Sequence, residues 1–532
     1  MHKRQHDTIA VVDLGGPSAH LAATLIRRAH VFSEIRHPHD APGAFAGVKG
    51  IVLAGTPTPN ADAKSDTDTA SVTAILHDLA VPILDLRTDG AAADDSPERA
   101  AQLANFALTT CGCASTWTMD AYIDAQVLAI QQQMGDQSAF LLASGGVDSN
   151  VAARLLSRAI GGERLHLLHV DNGMMRKGES ARVLEMYRDM GLDQHLHFVD
   201  ASDAFLQALG TAVAPEEKRA IIGQTFVDVF EREARRLGIE NHLLAQGTIY
   251  PDTVETGTAQ ATAVKTHHNR VPVIEEMIAA GRVIEPLAEL YKVEVRELGE
   301  RLGLPRDAIW RHPFPGPGLG VRLLCAEGGA SSEANTAALT KSAAPLCAPH
   351  SLVPLVLPMQ SVGMQFHRRT YQHPLLLQGP SDIGDDRGHD LEALLPVVDT
   401  LLQSVPGINR CLFSLGAAPI TSAKTLRAHM TRARLDLLRE ADAIVMDGLK
   451  RHGLYDRIWQ CPTVLAPLEI NGAGTEFCIV RPIHSERAMT ASAALLPAPL
   501  LAELRAAILA LPGISGLAID LTPKPPGTIE WE

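Results

Sequence analysis

The sequence predicts an α/β fold built on parallel sheets, followed by a duplicated α+β unit. Two observations carry this. Short apolar runs alternate with helically spaced segments between residues 8 and 246. Strands that alternate with helices need crossover connections, and these make a parallel sheet. Beyond residue 321 a pattern of strand, strand, helix, "PGI" and strand occurs twice.

The elements follow in order. "TIAVVDL" (8–14) and "GIVLA" (50–54) read as buried strands running into Gly, with "FSEIRHP" (32–38) as a strand between them. "SAHLAATLIRRA" and "TASVTAILHDLA" have helical spacing. "VPILDLRTDG" (81–90) reads as the end of another strand, over Val81 to Leu84, followed by a turn. "AAADDSPER" is a loop with a helix start at Ser96–Pro97. This unit is expected to end near residue 110, and we assign it residues 1–112.

A second unit, 113–320, opens with a helix at "TMDAYIDAQVLAIQQQ". "AFLLA" (139–143), "LHLLHV" (165–170), "HLHFV" (195–199) and "NHLLAQ" (241–246) read as its strands. The long segment "EEKRAIIGQTFVDVFEREARRLG" is a helix between the last two. The Pro/Gly-rich "HPFPGPGLG" (312–320) closes the unit. Residues 321–532 hold the repeat. "SLVPLVLPMQSVGMQ" matches "PTVLAPLEINGAGTE" in pattern, and "LEALLPVVDTLLQSVPGINRCLFSLG" matches "LLAELRAAILALPGISGLAIDLT". Two copies of one unit are a common route to a pseudo-symmetric interface.

Composition narrows the function. With 532 residues the chain is long enough for several domains. A net charge of −14 argues against a general nucleic-acid or anionic-membrane binder. No apolar run approaches the ~18 residues of a membrane span. The start has only a five-residue apolar run, so no secretory signal is expected there. The seven cysteines are odd in number and sparse, which fits a reducing, cytoplasmic setting. Cys111 and Cys113 are poorly spaced for zinc and have no second pair nearby. No cysteine precedes Cys111.

The chemistry concentrates in "FLLASGGVDSNVAARLL". A core strand runs into Ser144, Gly145, Gly146, Val147, Asp148 and Ser149, and then a helix follows. Two glycines let the backbone approach a ligand. Successive N–H groups and the helix N-terminus form an anion nest. Asp148 is placed to hold Mg²⁺ bridging phosphates. A plain capped turn would use the same residue types, but S-G-G-x-D-S after a core strand favours phosphate. No lysine follows in Walker fashion.

This segment resembles the PP-loop of the N-type ATP pyrophosphatases. Further along, "HVDNGMMRKGE", "LLAQGTIYPDTVET", "VKTHHN", "IEPLAELYKVEVRELGERLGLP", "RHPFPGPGLGVR" and "KPPGTIEWE" resemble the GMP synthetases, from about residue 110 to the last. The duplicated region resembles the two-copy dimerisation region of the animal-type enzymes. The resemblance implies adenylylation of xanthosine 5′-monophosphate (XMP) at O2 by ATP with Mg²⁺. Ammonia then displaces AMP and gives GMP. It also implies a homodimer.

Site residues follow from the same matches. Ser144 to Ser149 would grip the pyrophosphate half of ATP, and Lys292 would meet the phosphates. Lys265, His267 and His268 lie in a Gly/Thr-rich stretch suited to a lid. Arg219, Gln460, Lys524, Ile529 and Glu530 match the family's nucleotide-monophosphate site. Lys524 suits a phosphate and Glu530 a ring N–H, and the two-proline tail is stiffened for docking. One departure touches this site: Phe366–His367 replaces a family Gly-Asp, exchanging an obligate anion for a switchable base. This puts substrate identity or affinity in question.

The first unit resembles half of a class I glutaminase domain. That chemistry needs a cysteine nucleophile on the turn after a "VPILG"-like strand, and a downstream His and Glu. Here the cysteine position falls at about Arg87, and the segment for His and Glu is missing. We expect no glutamine hydrolysis by this chain. The alternatives are ammonia from a separate glutaminase subunit, a divergent purine-nucleotide ligase, or a non-catalytic nucleotide-binding relative.

Overall fold

The structure is a computed structural model. It describes residues 6–15, 18–38, 40–55, 79–87, 95–239, 242–256, 277, 280–329, 333–365, 368–379, 391–416, 418–485 and 490–532. Most of the segment "TASVTAILHDLA", residues 91–94 of the predicted loop at 91–99, and Phe366–His367 lie outside these residues.

Three sheets carry the chain. The N-terminal sheet contains β1 (Thr8–Asp13), β2 (Phe32–Arg36), β3 (Gly50–Ala54) and β4 (Ile83–Asp85) in the order β2-β1-β3-β4. All its pairings are parallel. Helix α1 (Ser18–Arg28) makes the β1–β2 crossover and buries Leu21, Leu25 and Ile26. Helix α2 (Pro97–Asn105) starts as expected, with the Ser96 side chain accepting the Arg99 N–H and Pro97 following. The strand after residue 80 is Ile83–Asp85, so it starts two residues later and ends one residue further than the apolar pattern suggested.

The middle sheet contains β5 (Ala139–Leu142), β6 (Leu165–Asp171), β7 (Leu196–Asp200), β8 (Leu243–Ala245) and β9 (Val283–Ile284). Their order is β7-β6-β5-β8-β9, again all parallel. The chain steps outward from β5 to β7, then crosses back to β8 on the other side. The crevice between the carboxyl ends of β5 and β8 is therefore a topological switch point, where ligands bind in open α/β sheets. Around this sheet lie α3 (Met119–Met134, capped by Thr118), α4 (Val147–Ile160), α5 (Glu179–Asp189), α6 (Pro215–Leu237) and α7 (Lys292–Arg301). Strand β9 was not foreseen, because two residues carry no readable period.

The C-terminal sheet makes the duplication visible. Val353–Val356 pairs antiparallel with Arg368–Gln378, which pairs parallel with Ile408–Ser414 through the helix Leu391–Ser404. In the second copy Thr463–Ala466 pairs antiparallel with Glu476–Val480. That strand pairs parallel with Ile514–Asp520 through the helix Ala498–Leu509. The two "PGI" strands pair antiparallel with each other, Phe413 opposite Ile519. The copies thus join into one sheet about a pseudo-twofold axis, with Ser361–Gln365 added on Arg368–Gln378. Helix α8 (Arg432–Arg451) connects them.

The cores do not stop where the sheets do. One apolar cluster contains Phe140, Leu168 and Phe205 from the middle unit together with Leu375, Phe413 and Ile519 from the C-terminal sheet. Another joins Ile9, Val11 and Leu25 of the N-terminal unit to Tyr250 and Tyr291.

Candidate active site

Strand β5 delivers Ser144 to Ser149 into the switch-point crevice. Gly145 has φ +76°, and a Cβ there would come within 2.3 Å of the Val183 side chain on α5. Glycine is required by both backbone and space. Ser144 and Ser149 hydroxyls lie 3.0 Å apart, and the Ser149 hydroxyl donates to the Gly146 carbonyl at 2.9 Å. The loop leads directly into the first turn of α4, and helix N-termini of this kind can take an anion.

Lys292 arrives from the far side of the crevice as the first residue of α7. Its Nζ is 2.7 Å from Asp148 Oδ2 and 2.8 Å from Oδ1. The structure therefore brings together the two charged residues singled out at this loop, although 144 positions separate them. Gly247, just after β8, closes the other wall. A Cβ there would stand 3.2 Å from the Asp148 backbone.

Several buried polar atoms here have no protein partner: Gln246 Oε1, Thr248 Oγ1 and Arg296 Nε. Arg296 also feels the Asp148 charge, which partly offsets the lowering of its pKa by burial. Buried polar groups are normally hydrogen-bonded; the Thr248 hydroxyl and the Arg296 Nε–H can donate to a polyphosphate, whereas Gln246 Oε1 can only accept. Among the described residues no group of three or more His, Cys, Asp or Glu side chains is arranged for a metal. Asp148 is the residue that would hold Mg²⁺, with phosphate oxygens and water completing the shell, as magnesium prefers.

The second cluster is built from the C-terminal tail. Trp531 is fully buried. Its indole N–H donates to Asp520 Oδ2 at 3.1 Å, and Arg410 lies over its ring at 4.6 Å. Arg410 and Arg481 both pair with Asp520, at 3.0 and 2.9 Å. Gln460 and Glu530 meet directly: the Gln460 amide donates to Glu530 Oε1 at 2.8 Å. Arg322 grips both oxygens of the same carboxylate, at 2.9 and 3.0 Å. Arg219 donates to the backbone carbonyl of Glu532, and Lys218 to its side chain. Burial, then the neighbouring Arg369, pulls the Arg219 pKa down. The Ile529 carbonyl accepts from Arg481, and Lys524 pairs backbone to backbone with Ala491. Lys265, His267 and His268 lie outside the described residues.

The residues that tie the two clusters together were missed at the sequence level. Arg311 donates to the Gly145 carbonyl at 2.9 Å and pairs with Glu179. Burial alone would raise the Glu179 pKa, but Arg311 outweighs it and holds the carboxyl low. Arg322 stands at the other end of the same "RHPFPGPGLGVR" segment. That motif was the available signal; its two terminal arginines are what it uses on either side.

In the N-terminal sheet the turn after β4 holds Arg87 folded back on Asp85, with contacts of 2.8 and 2.6 Å. The Arg87 hydrogen bonds hold the Asp85 carboxyl below its usual range. No thiol is presented there.

The family model for the GMP synthase C-terminal domain matches residues 447–531. A probable glutamine-hydrolyzing GMP synthase of Leptospira interrogans is 32% identical over 624 aligned residues, covering 99% of this chain and all of that protein. A putative glutamine-hydrolyzing GMP synthase of Bacteroides thetaiotaomicron is 36% identical over 442 residues, covering 78% of this chain and 98% of that one. Among solved structures, NMN synthetase of Francisella tularensis matches 38% of this chain and 78% of its own, at 16% identity and a TM-score of 0.30. With its PP-loop in a parallel sheet and relatives matched across their whole length, the chain belongs to the GMP synthase family.

Proposed function

We propose that this protein is an ammonia-dependent GMP synthetase without glutaminase activity of its own. The observation that carries the synthetase half is the Asp148–Lys292 pair across the β5/β8 crevice. ATP phosphates lie on the loop 144–149 and on Lys292, and Asp148 would hold a magnesium ion that neutralises phosphate charge. XMP lies against Arg219, Gln460, Lys524, Ile529 and Glu530. The xanthine O2 attacks the α-phosphorus and pyrophosphate leaves. Ammonia then adds at C2 and AMP departs, which is a far better leaving group than the original oxygen. The protein's part is orientation and charge neutralisation.

Two facts support the absence of glutaminase chemistry. The first 110 residues contain no cysteine. The turn that would present a nucleophile carries Arg87, already committed to Asp85. In addition, the alignment with the Leptospira protein spans 624 residues against 532 in this chain. We assign residues 1–112 to the glutaminase-like remnant, 113–320 to the pyrophosphatase unit and 321–532 to a dimerising region. The protein works as a homodimer, with ammonia taken free or from a separate glutaminase.

One assay tests the reading. The protein is given ATP, Mg²⁺ and XMP with either ammonium or glutamine, and AMP and GMP are measured. GMP with ammonium and none with glutamine is expected. Turnover on glutamine alone defeats the claim about the N-terminal unit. Pyrophosphate release without GMP defeats the assignment of the acceptor.

A further inference from the structure

The N-terminal unit sends one side chain deep into the pyrophosphatase unit. Arg27, on α1, is 3% exposed. Four aromatic rings surround its guanidinium: Phe32 at 4.7 Å, Trp117 at 5.2 Å, Tyr250 at 5.0 Å and Tyr291 at 4.8 Å. Desolvated guanidinium–ring contacts of this kind are the stronger ones. The charge is met by Glu294 at 2.9 Å. Arg27 also donates to the carbonyls of Glu289 and Ser33.

These partners bear on α7. Glu294 is its third residue, and the same carboxylate oxygen that meets Arg27 accepts the Tyr291 N–H at 2.8 Å. Its other oxygen accepts from the Trp117 indole at 2.6 Å. Tyr291 caps the helix, and Lys292 is the next residue. A carboxylate that closes a first helical turn satisfies otherwise orphaned N–H groups. Tyr250 ties in the opposite wall of the crevice. Its hydroxyl accepts the Ile35 N–H at 2.6 Å, and its own N–H donates to the Leu290 carbonyl at 2.9 Å.

We propose that the N-terminal unit is kept as a positioning device for the phosphate-binding lysine. Arg27 fixes Glu294, Glu294 closes the first turn of α7, and that turn sets Lys292 against Asp148. Arg27 touches no substrate and acts through these intermediaries. Without its charge, Glu294 is a buried carboxylate lacking its Arg27 counter-ion, a strongly unfavourable arrangement. The turn then opens and the lysine loses its setting. The inference rests on the reading above only in taking Lys292 and Asp148 as the polyphosphate site.

The test uses the full-length protein with Arg27→Met and Arg27→Lys. Binding of magnesium pyrophosphate is measured by calorimetry, and KM for MgATP and for XMP by AMP release. For Arg27→Met the pyrophosphate Kd and the MgATP KM are expected to rise about tenfold, with the XMP KM unchanged. Arg27→Lys keeps the charge and recovers part of the loss, though not the planar stacking. If Arg27→Met does not fold, Arg27→Met/Glu294→Gln removes both buried charges. A folded double variant that still binds pyrophosphate weakly supports the proposal, and wild-type affinity in it overturns the proposal. Unchanged pyrophosphate affinity in folded Arg27→Met also overturns it. A wild-type protein that binds magnesium pyrophosphate but makes no AMP from XMP defeats the functional reading and leaves this test intact.

Discussion

The Lys292 ammonium lies within 2.8 Å of both oxygens of Asp148, across a crevice whose walls come from different strands. Neither residue is fully buried, so the pair is open to a ligand that separates its two roles. Under the proposed reaction, Lys292→Met removes a charge that would count most as pyrophosphate leaves. A fall in kcat/KM of about a hundredfold is expected, the usual scale for losing one electrostatic stabiliser. Asp148→Asn should lower turnover similarly and raise the Mg²⁺ concentration needed for half-maximal rate. A shift in XMP affinity with no change in rate would contradict the assignment.

The Glu530 carboxylate is shared by Arg322 and Gln460. Glu530→Gln retains the shape and loses the charge. We expect the KM for XMP to rise roughly tenfold while the KM for MgATP stays put, because an Arg–carboxylate pair is worth more than a neutral hydrogen bond. Equal effects on both substrates would show that the tail is only a structural plug.

Arg87→Cys places a thiol where a class I glutaminase would carry its nucleophile and adds nothing else. A thiol without a base is a weak nucleophile at neutral pH. Glutamine turnover should remain at background in this variant, as in the parent. Ammonia released from glutamine by Arg87→Cys would mean that the partner groups persist elsewhere in the chain.

Four histidines gather at the amino ends of β6, β7 and β8. The His166 ring lies 4.5 Å from His195, 5.6 Å from His197 and 4.9 Å from His242. Burial first, then His195, His242 and His197, lowers the His166 pKa to about 4. His197 is lowered as well, by burial, His195 and Arg236. The folded state thus favours neutral rings at His166 and His197. Their stability is present above the unfolded value of about 6.5 and is lost as pH falls towards about 4. Thermal melting should drop across that window, and His166→Gln should flatten the drop. Identical melting curves for parent and variant would remove the histidines as its cause.

Much of the fold was legible because it is written locally. Buried parallel strands are continuous apolar runs, so "TIAVVDL", "GIVLA", "AFLLA" and "LHLLHV" announce themselves. Ser96–Pro97 announces a helix start by the groups it satisfies. Val283–Ile284 did not, since so short a strand is made by its neighbour β8 rather than by its own pattern. At the site, Ser144–Ser149 was readable from chemistry alone. Arg27, Arg311 and Arg322 were not, because in sequence each looks like any surface charge, while a decisive partner lies over a hundred residues away.

The parallel-sheet units, the Ser144–Ser149 loop, the repeat and the lack of any cysteine before Cys111 could be read from the chain alone. Each depends on residue type and short spacing. The tertiary structure decided the strand order that makes β5 and β8 a switch point and the meeting of Lys292 with Asp148. It also decided the joining of the two repeats into one sheet and the burial of Trp531. Those features depend on which distant surfaces exclude water together, and buried charges must find their partners there, wherever the chain has placed them.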